Sequence, residues 1–121
     1  MQVTVTARHG HLDDPTQKQL QEKAEKLLTY FDRLTAIAVI ADMHRDRADR
    51  VRVEITAKAE HKHEFVANEA DADVVAAFNL AADKIKQQIK HYKEKLQDHR
   101  RDPSHNDVGG KPPGGPQANP G

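Results

Sequence analysis

Arg50-Val-Arg-Val-Glu-Ile-Thr-Ala-Lys58 alternates without a break. Val51, Val53, Ile55 and Ala57 fall on one side, and Arg50, Arg52, Glu54, Thr56 and Lys58 on the other. Successive side chains of a strand point to opposite faces, so this stretch predicts a strand with one buried and one wet face. Upstream, Ala36 to Met43 is apolar and β-branched, with Ile37, Val39, Ala41 and Met43 alternating against Ala38, Ile40 and Asp42. The polar turn His44 to Asp49 separates the two. Downstream, Glu60-His-Lys-His63 makes a second turn and Glu64 to Glu69 a short further strand. Three strands joined by short polar turns predict an antiparallel meander.

Further out, Gln2 to Arg8 alternates Val3, Val5 and Ala7 against Thr4, Thr6 and Arg8, and His9-Gly10-His11 ends it. Asp14 precedes Pro15, with Gln17 three residues on. That is an N-cap, a proline at the first helical position and a partial capping box. Leu20, Ala24, Leu27, Leu28 and Phe31 then keep helical spacing, which predicts a helix over 15–31. A second helix is predicted over Asp73 to Leu96. Its first half is small and apolar; its second half keeps a narrow stripe of Ile85, Ile89, Tyr92 and Leu96 and fills the rest with lysine. At 1.5 Å per residue it spans roughly 35–40 Å, longer than a small core needs.

The order is β-α-β-β-β-α. Strands with one apolar face and helices with one apolar stripe predict an α+β two-layer sandwich, a four-stranded sheet with two helices on one face and the other face solvated. The helix–three strands–helix portion resembles a double-stranded RNA-binding domain preceded by an extra strand. From Asp102 on, proline and glycine dominate. Residues 1–100 therefore read as one domain and 101–121 as a disordered Gly/Pro-rich tail.

The 121 residues are 36% hydrophobic but only 4% aromatic, so the core is expected to be thin and built of Val, Ile, Leu and Ala. There is no cysteine, hence no disulfide framework and no thiolate site. Met1 leads straight into alternating residues rather than a signal peptide, and no apolar run approaches the ~20 residues of a membrane span. These features fit a cytoplasmic protein. Lys and Arg total 19, against 19 Asp and Glu. A bulk basic field is absent, and any polyanion must be met by segregated charge. Glu60, Glu64, Glu69, Asp71 and Asp73 form an acidic stretch, whereas 84–101 is mostly basic. Eight histidines add positive charge below roughly pH 6.5.

On the second helix Lys86, Lys90 and Lys93 share a face by i, i+4, i+7 spacing, and Lys84, His91 and Lys95 flank it. Read functionally, they contact RNA phosphates, positioned by the scaffold and reading shape rather than sequence. Read structurally, they are a solvated helix face. Few acids interleave to pair with them, which favours the first reading. Arg8, Arg50, Arg52 and Lys58 on the polar strand faces either extend a basic groove or are ordinary solvent-facing residues paired with Glu54 or Glu64. Arg45 and Arg47 are neutralised by Asp42, Asp46 and Asp49. His9/His11 and His61/His63 are His-x-His pairs at turns without a third ligand at fixed spacing, so no metal or other cofactor is expected. No nucleophile–base pair, carboxylate pair or positioned glycine-rich loop suggests an enzyme.

Three segments together carry a family resemblance: Arg50 to Lys58, Glu69-Ala-Asp-Ala-Asp-Val-Val-Ala-Ala-Phe78, and Asp83-Lys-Ile-Lys-Gln-Gln-Ile-Lys-His-Tyr-Lys-Glu-Lys95. Over about residues 1–100 the chain resembles the ribosome hibernation promoting factor family, also called ribosome-associated translation inhibitors or sigma-54 modulation proteins. The resemblance implies binding to small-subunit rRNA in the channel that holds mRNA and the A- and P-site tRNAs. It implies silencing of ribosomes in starvation or stationary phase, and some forms promote ribosome dimers. Long forms carry a further C-terminal domain, so this chain resembles a short form. Gln87 stands where the family often has arginine and is left out of the candidate set. The expected partner is the small ribosomal subunit, with no membrane, no DNA and a monomer off the ribosome. Two other readings stay open: a general double-stranded RNA binder, and an interaction module that pairs its Ile85–Leu96 stripe with another helix.

Overall fold

The computed structural model describes residues 2–101, with side chains described for 2–96. The expected tail, from Asp102 on, lies outside the described residues. The elements are β1 (Gln2–Arg8), α1 (Asp14–Tyr30), β2 (Leu34–Asp42), β3 (Val51–Ala59), a 3-10 turn (Glu60–Lys62), β4 (His63–Asp71) and α2 (Val74–Arg101). They form the predicted β-α-β-β-β-α sandwich, and the sheet order is β1-β2-β3-β4. Strands β2, β3 and β4 are the expected antiparallel meander. Strand β1 pairs with β2 in parallel. That follows from α1, which crosses back along the sheet before β2 begins.

The register aligns the apolar positions into rows. Val5, Val39, Ile55 and Ala67 are cross-strand partners, as are Val3, Ile37, Ala57 and Phe65. Ile37, Val39, Ile55, Ala57, Phe65 and Ala67 of these rows are buried. The opposite row of Thr4, Ala38, Thr56 and Val66 faces solvent, with Val66 45% exposed. From α1 the core takes Leu20, Ala24, Leu27 and Leu28; from α2 it takes Val74, Ala77, Phe78, Ala81, Ala82, Ile85 and Ile89. Met1–Ile89 form one compact unit, and α2 continues past it from Lys90.

Local chemistry explains the boundaries. The N-cap of α1 is Asp13 rather than the expected Asp14: its Oδ1 accepts from the Thr16 backbone N–H at 2.9 Å, and Asp14 is already helical. Gln17 does not close a capping box. Its Nε2 donates to the Val5 carbonyl at 3.2 Å, tying α1 to β1. Gln88 of α2 does the same at the other side of the sheet, donating to the Val66 carbonyl at 2.8 Å. Both edge strands thus give up a backbone acceptor to a helix rather than to another chain. Asp73 caps α2, its Oδ2 accepting from the Ala76 N–H at 3.0 Å. Gly10 is required where it stands, because a Cβ there would lie 2.8 Å from the Met43 Cβ.

One-sided burial has a direct consequence for stability. Ile55 is fully buried, so Ile55→Ala is expected to cost about 2–5 kcal/mol. Val66→Ala on the open face is expected to stay within about 0.5 kcal/mol. Urea denaturation of both variants checks this, and equal losses would show that both faces of the sheet are covered.

Candidate nucleic-acid interface

Of the nine basic residues singled out from the sequence, the six within the compact unit, Arg8, Arg50, Arg52, Lys58, Lys84 and Lys86, do not form one patch. Arg8 ends β1 and Arg52 lies on β3, and both flank Asp42 of β2 in one cross-strand row on the open face. Lys58 lies on the same face, opposite Glu64. Arg50 precedes β3 instead of lining it, and its guanidinium grips Asp46 from Nη2 at 2.9 Å and from Nε at 3.0 Å. The sequence hides this because Arg50 continues the alternation of β3 while sitting at the i+4 position from Asp46. Lys84 is in the helical layer and pairs with Glu69, which points inward from β4. Lys90, Lys93 and Lys95 belong to the stretch of α2 beyond the compact unit, and all three are exposed.

Lys86 has the most informative surroundings. Its ammonium lies 5.5 Å from the centroid of the Tyr30 ring, within cation–π range. The two residues border a cleft of about 470 Å³ between α1 and α2, which Lys23, Lys26, Asn79 and Asp83 also line. Its floor is apolar, made by Leu27, Phe78 and Ala82. Lys23, Lys26 and Lys86 therefore line one cavity, and Asp83 is the acidic residue among those that line it. Lys23 and Lys26 were not among the sequence candidates. Their signal was available: Lys23, Lys26 and Tyr30 stand at i, i+3 and i+7, one face of α1. What the sequence withheld is that this face borders α2.

The acids of the sheet ends are used locally. Asp42 is held below the usual carboxylate range by the hydrogen bond from the His9 ring, 3.0 Å from Oδ1, and next by the His44 backbone N–H. Asp46 is lowered by the Arg50 backbone N–H first and its guanidinium second. Hydrogen bonds from Thr16 lower Asp13. Among the described residues no group of three or more His, Asp or Glu could hold a metal ion. Nor, among the described residues, is any helix long and apolar enough to cross a membrane.

A four-stranded sheet with two helices over one face, in the order β-α-β-β-β-α, defines a small two-layer α+β domain. The chain belongs to the Sigma 54 modulation protein / S30EA ribosomal protein family, whose model matches residues 3–97. The sequence resemblance is thereby confirmed, and the family is one of non-enzymatic proteins. A ribosome hibernation promoting factor from Pseudomonas putida is 32% identical over 97 residues, covering 80% of this chain and 91% of the relative. One from Azotobacter vinelandii is 32% identical over 95 residues, covering 78% and 85%. Two solved structures share the fold. A ribosomal subunit interface protein from Coxiella burnetii superposes with a TM-score of 0.66 at 16% identity, covering 78% of this chain and 99% of that one. The N-terminal domain of Thermus thermophilus Protein Y gives 0.62 at 22% identity, covering 76% and 99%.

The lowered carboxylates fix the sign of an acid effect. A carboxylate whose folded pKa lies below its unfolded value contributes stability above the ordinary range, roughly pH 4. That contribution is lost as pH falls through the lower folded value. Stability is therefore expected to drop as pH falls below the ordinary carboxylate range, roughly pH 4, and Asp46→Asn to flatten that limb. Denaturation midpoints across a pH series measure it, and an unchanged limb in the variant would remove Asp46 from the account.

Proposed function

We propose that this chain is a ribosome hibernation factor that binds small-subunit rRNA in the mRNA and tRNA channel and silences the ribosome by occupying it. The observation that carries this reading is the family match over residues 3–97, with relatives named ribosome hibernation promoting factor aligned over most of their own length. The chemistry is consistent with it. Lysine ammonium groups meet phosphates as point charges and require no base sequence. Inhibition then needs no catalysis, because the protein and mRNA or tRNA compete for one rRNA surface. The protein acts where ribosomes are, in the cytoplasm, and as a monomer until it binds.

Within the compact unit, Lys86 is the proposed phosphate contact of first rank, joined by Lys23 and Lys26. Lys84 ranks lower because Glu69 neutralises it. Lys90, Lys93 and Lys95 are proposed separately, as contacts made by the distal part of α2. Arg8, Arg52 and Lys58 occupy the other face of the sheet and Arg50 is engaged by Asp46, so these four are proposed only as secondary contacts.

Co-sedimentation with small subunits over a salt series tests the reading. Each set of three, Lys23/Lys26/Lys86→Glu and Lys90/Lys93/Lys95→Glu, is expected to lower the slope of log K against log salt by roughly 2–3 and to weaken binding at every salt. Binding and salt slope unchanged in both variants would overturn the lysine anchoring.

A further inference from the structure

We propose that the cleft between α1 and α2 takes one unstacked nucleotide, its base on the Tyr30 ring and its phosphate on Lys23, Lys26 and Lys86, with guanine preferred. The inference rests on the ribosome-binding reading for the source of the nucleotide. Its chemistry comes from the cleft itself. A row of lysines that met only backbone phosphates would need neither an aromatic ring nor a cavity. Here both are present. Tyr30 is 45% exposed, and the space beside it is about 470 Å³, within the roughly 300–1,000 Å³ of small-ligand sites.

The ring is occupied in a replaceable way. Lys86 lies over it, and among the described residues no carboxylate forms an ion pair with it, so its ammonium is an exchangeable cover. An entering base takes the ring face, and Lys86 swings to the phosphate that arrives with it. The aromatic–cation pair is thereby traded for a stack and a charge-assisted contact, the combination that single-stranded nucleic-acid sites use. The buried Leu27, Phe78 and Ala82 form an apolar floor that shields the base from water.

The edge of the base is read by Asn79 and Asp83. They stand at i, i+4 on α2 and both line the cleft. A carboxylate with two oxygens accepts two parallel donors. Guanine alone among the bases offers N1–H and N2–H₂ side by side, with O6 next to them for an amide donor such as Asn79. Adenine presents a single amino donor there and leaves one carboxylate oxygen unused.

The chain has two tyrosines and no tryptophan, so Tyr92→Phe leaves Tyr30 as the sole tyrosine. NMR of the labelled Tyr30 ring in that full-length protein, titrated with 5′-GMP, 5′-AMP, inorganic phosphate and the ribonucleotides UUGUU and UUAUU, tests the proposal. GMP and UUGUU are expected to shift the ring signals upfield by stacking, and phosphate is not. Tyr30→Leu is expected to weaken GMP binding roughly tenfold or more, while Tyr30→Phe retains it. Asp83→Asn is expected to bring GMP down to AMP. Tighter binding of UUGUU than of GMP assigns the site to an RNA strand; equal binding assigns it to the free nucleotide. A phosphate response equal to that of GMP, or GMP binding untouched in Tyr30→Leu, would overturn the pocket. AMP matching GMP in the unmutated cleft would overturn the guanine assignment. If the ring stays silent while the protein still sediments with small subunits, the pocket fails and the ribosome reading stands.

Discussion

The fold depends on one constraint: the register puts an apolar row from every strand on the same side of the sheet. The rows Val3–Ile37–Ala57–Phe65 and Val5–Val39–Ile55–Ala67 leave one surface of the sheet that must be kept from water. Two helices with one apolar stripe each are what the chain has to cover it. They are therefore confined to one layer and come to lie side by side. The other face keeps its threonines and needs no cover. The α1–α2 cleft follows from that confinement, because it brings the polar flank of α1 up to the polar flank of α2. Lys23, Lys26 and Tyr30 are distant in sequence from Asn79, Asp83 and Lys86, yet line one cleft.

The zero net charge acquires its meaning in this arrangement. Acids and bases cancel in number but not in place. Asp46 is bound to Arg50, Asp42 to His9 and Glu69 to Lys84. Those pairs organise the ends of the sheet and hold α2 against β4. Exposed pairs of this kind add little stability each, and none of their carboxylates lines the α1–α2 cleft. Close attraction for an anion can thus coexist with a chain that has no long-range pull of its own.

Much of this was legible in the residues. The unbroken alternation of Val51 to Lys58 gave the one-sided sheet, and the spacing from Phe78 to Ile89 gave the buried stripe of α2. Family resemblance could be read from the acidic lead-in and the lysine-studded helix together. The losses share a physical cause. Asp13 and Asp14 are equally good caps on paper, and only the reach to the Thr16 N–H chooses between them. Gln17 looked like a capping partner because its bond to Val5 crosses to another element. Arg50 looked like a strand residue because its partner sits in the preceding turn. Lys23 and Lys26 were not singled out because the sequence does not say which helix lies beside them. Local patterns survive translation into structure; a side chain's partner across elements does not.

The central claim is that the helical layer, more than the open sheet face, meets rRNA. Because the chain has no cysteine, single cysteines can be placed at will and tethered to an iron chelate that cleaves nearby RNA. Thr29→Cys sits at the rim of the α1–α2 cleft, and Asn68→Cys on the open face of β4. With small subunits, cleavage from position 29 is predicted to be strong and confined to rRNA lining the mRNA and tRNA channel, and cleavage from position 68 weaker. Strong cuts from 68 with none from 29, or cuts from 29 only on the outer surface of the subunit, would contradict the account.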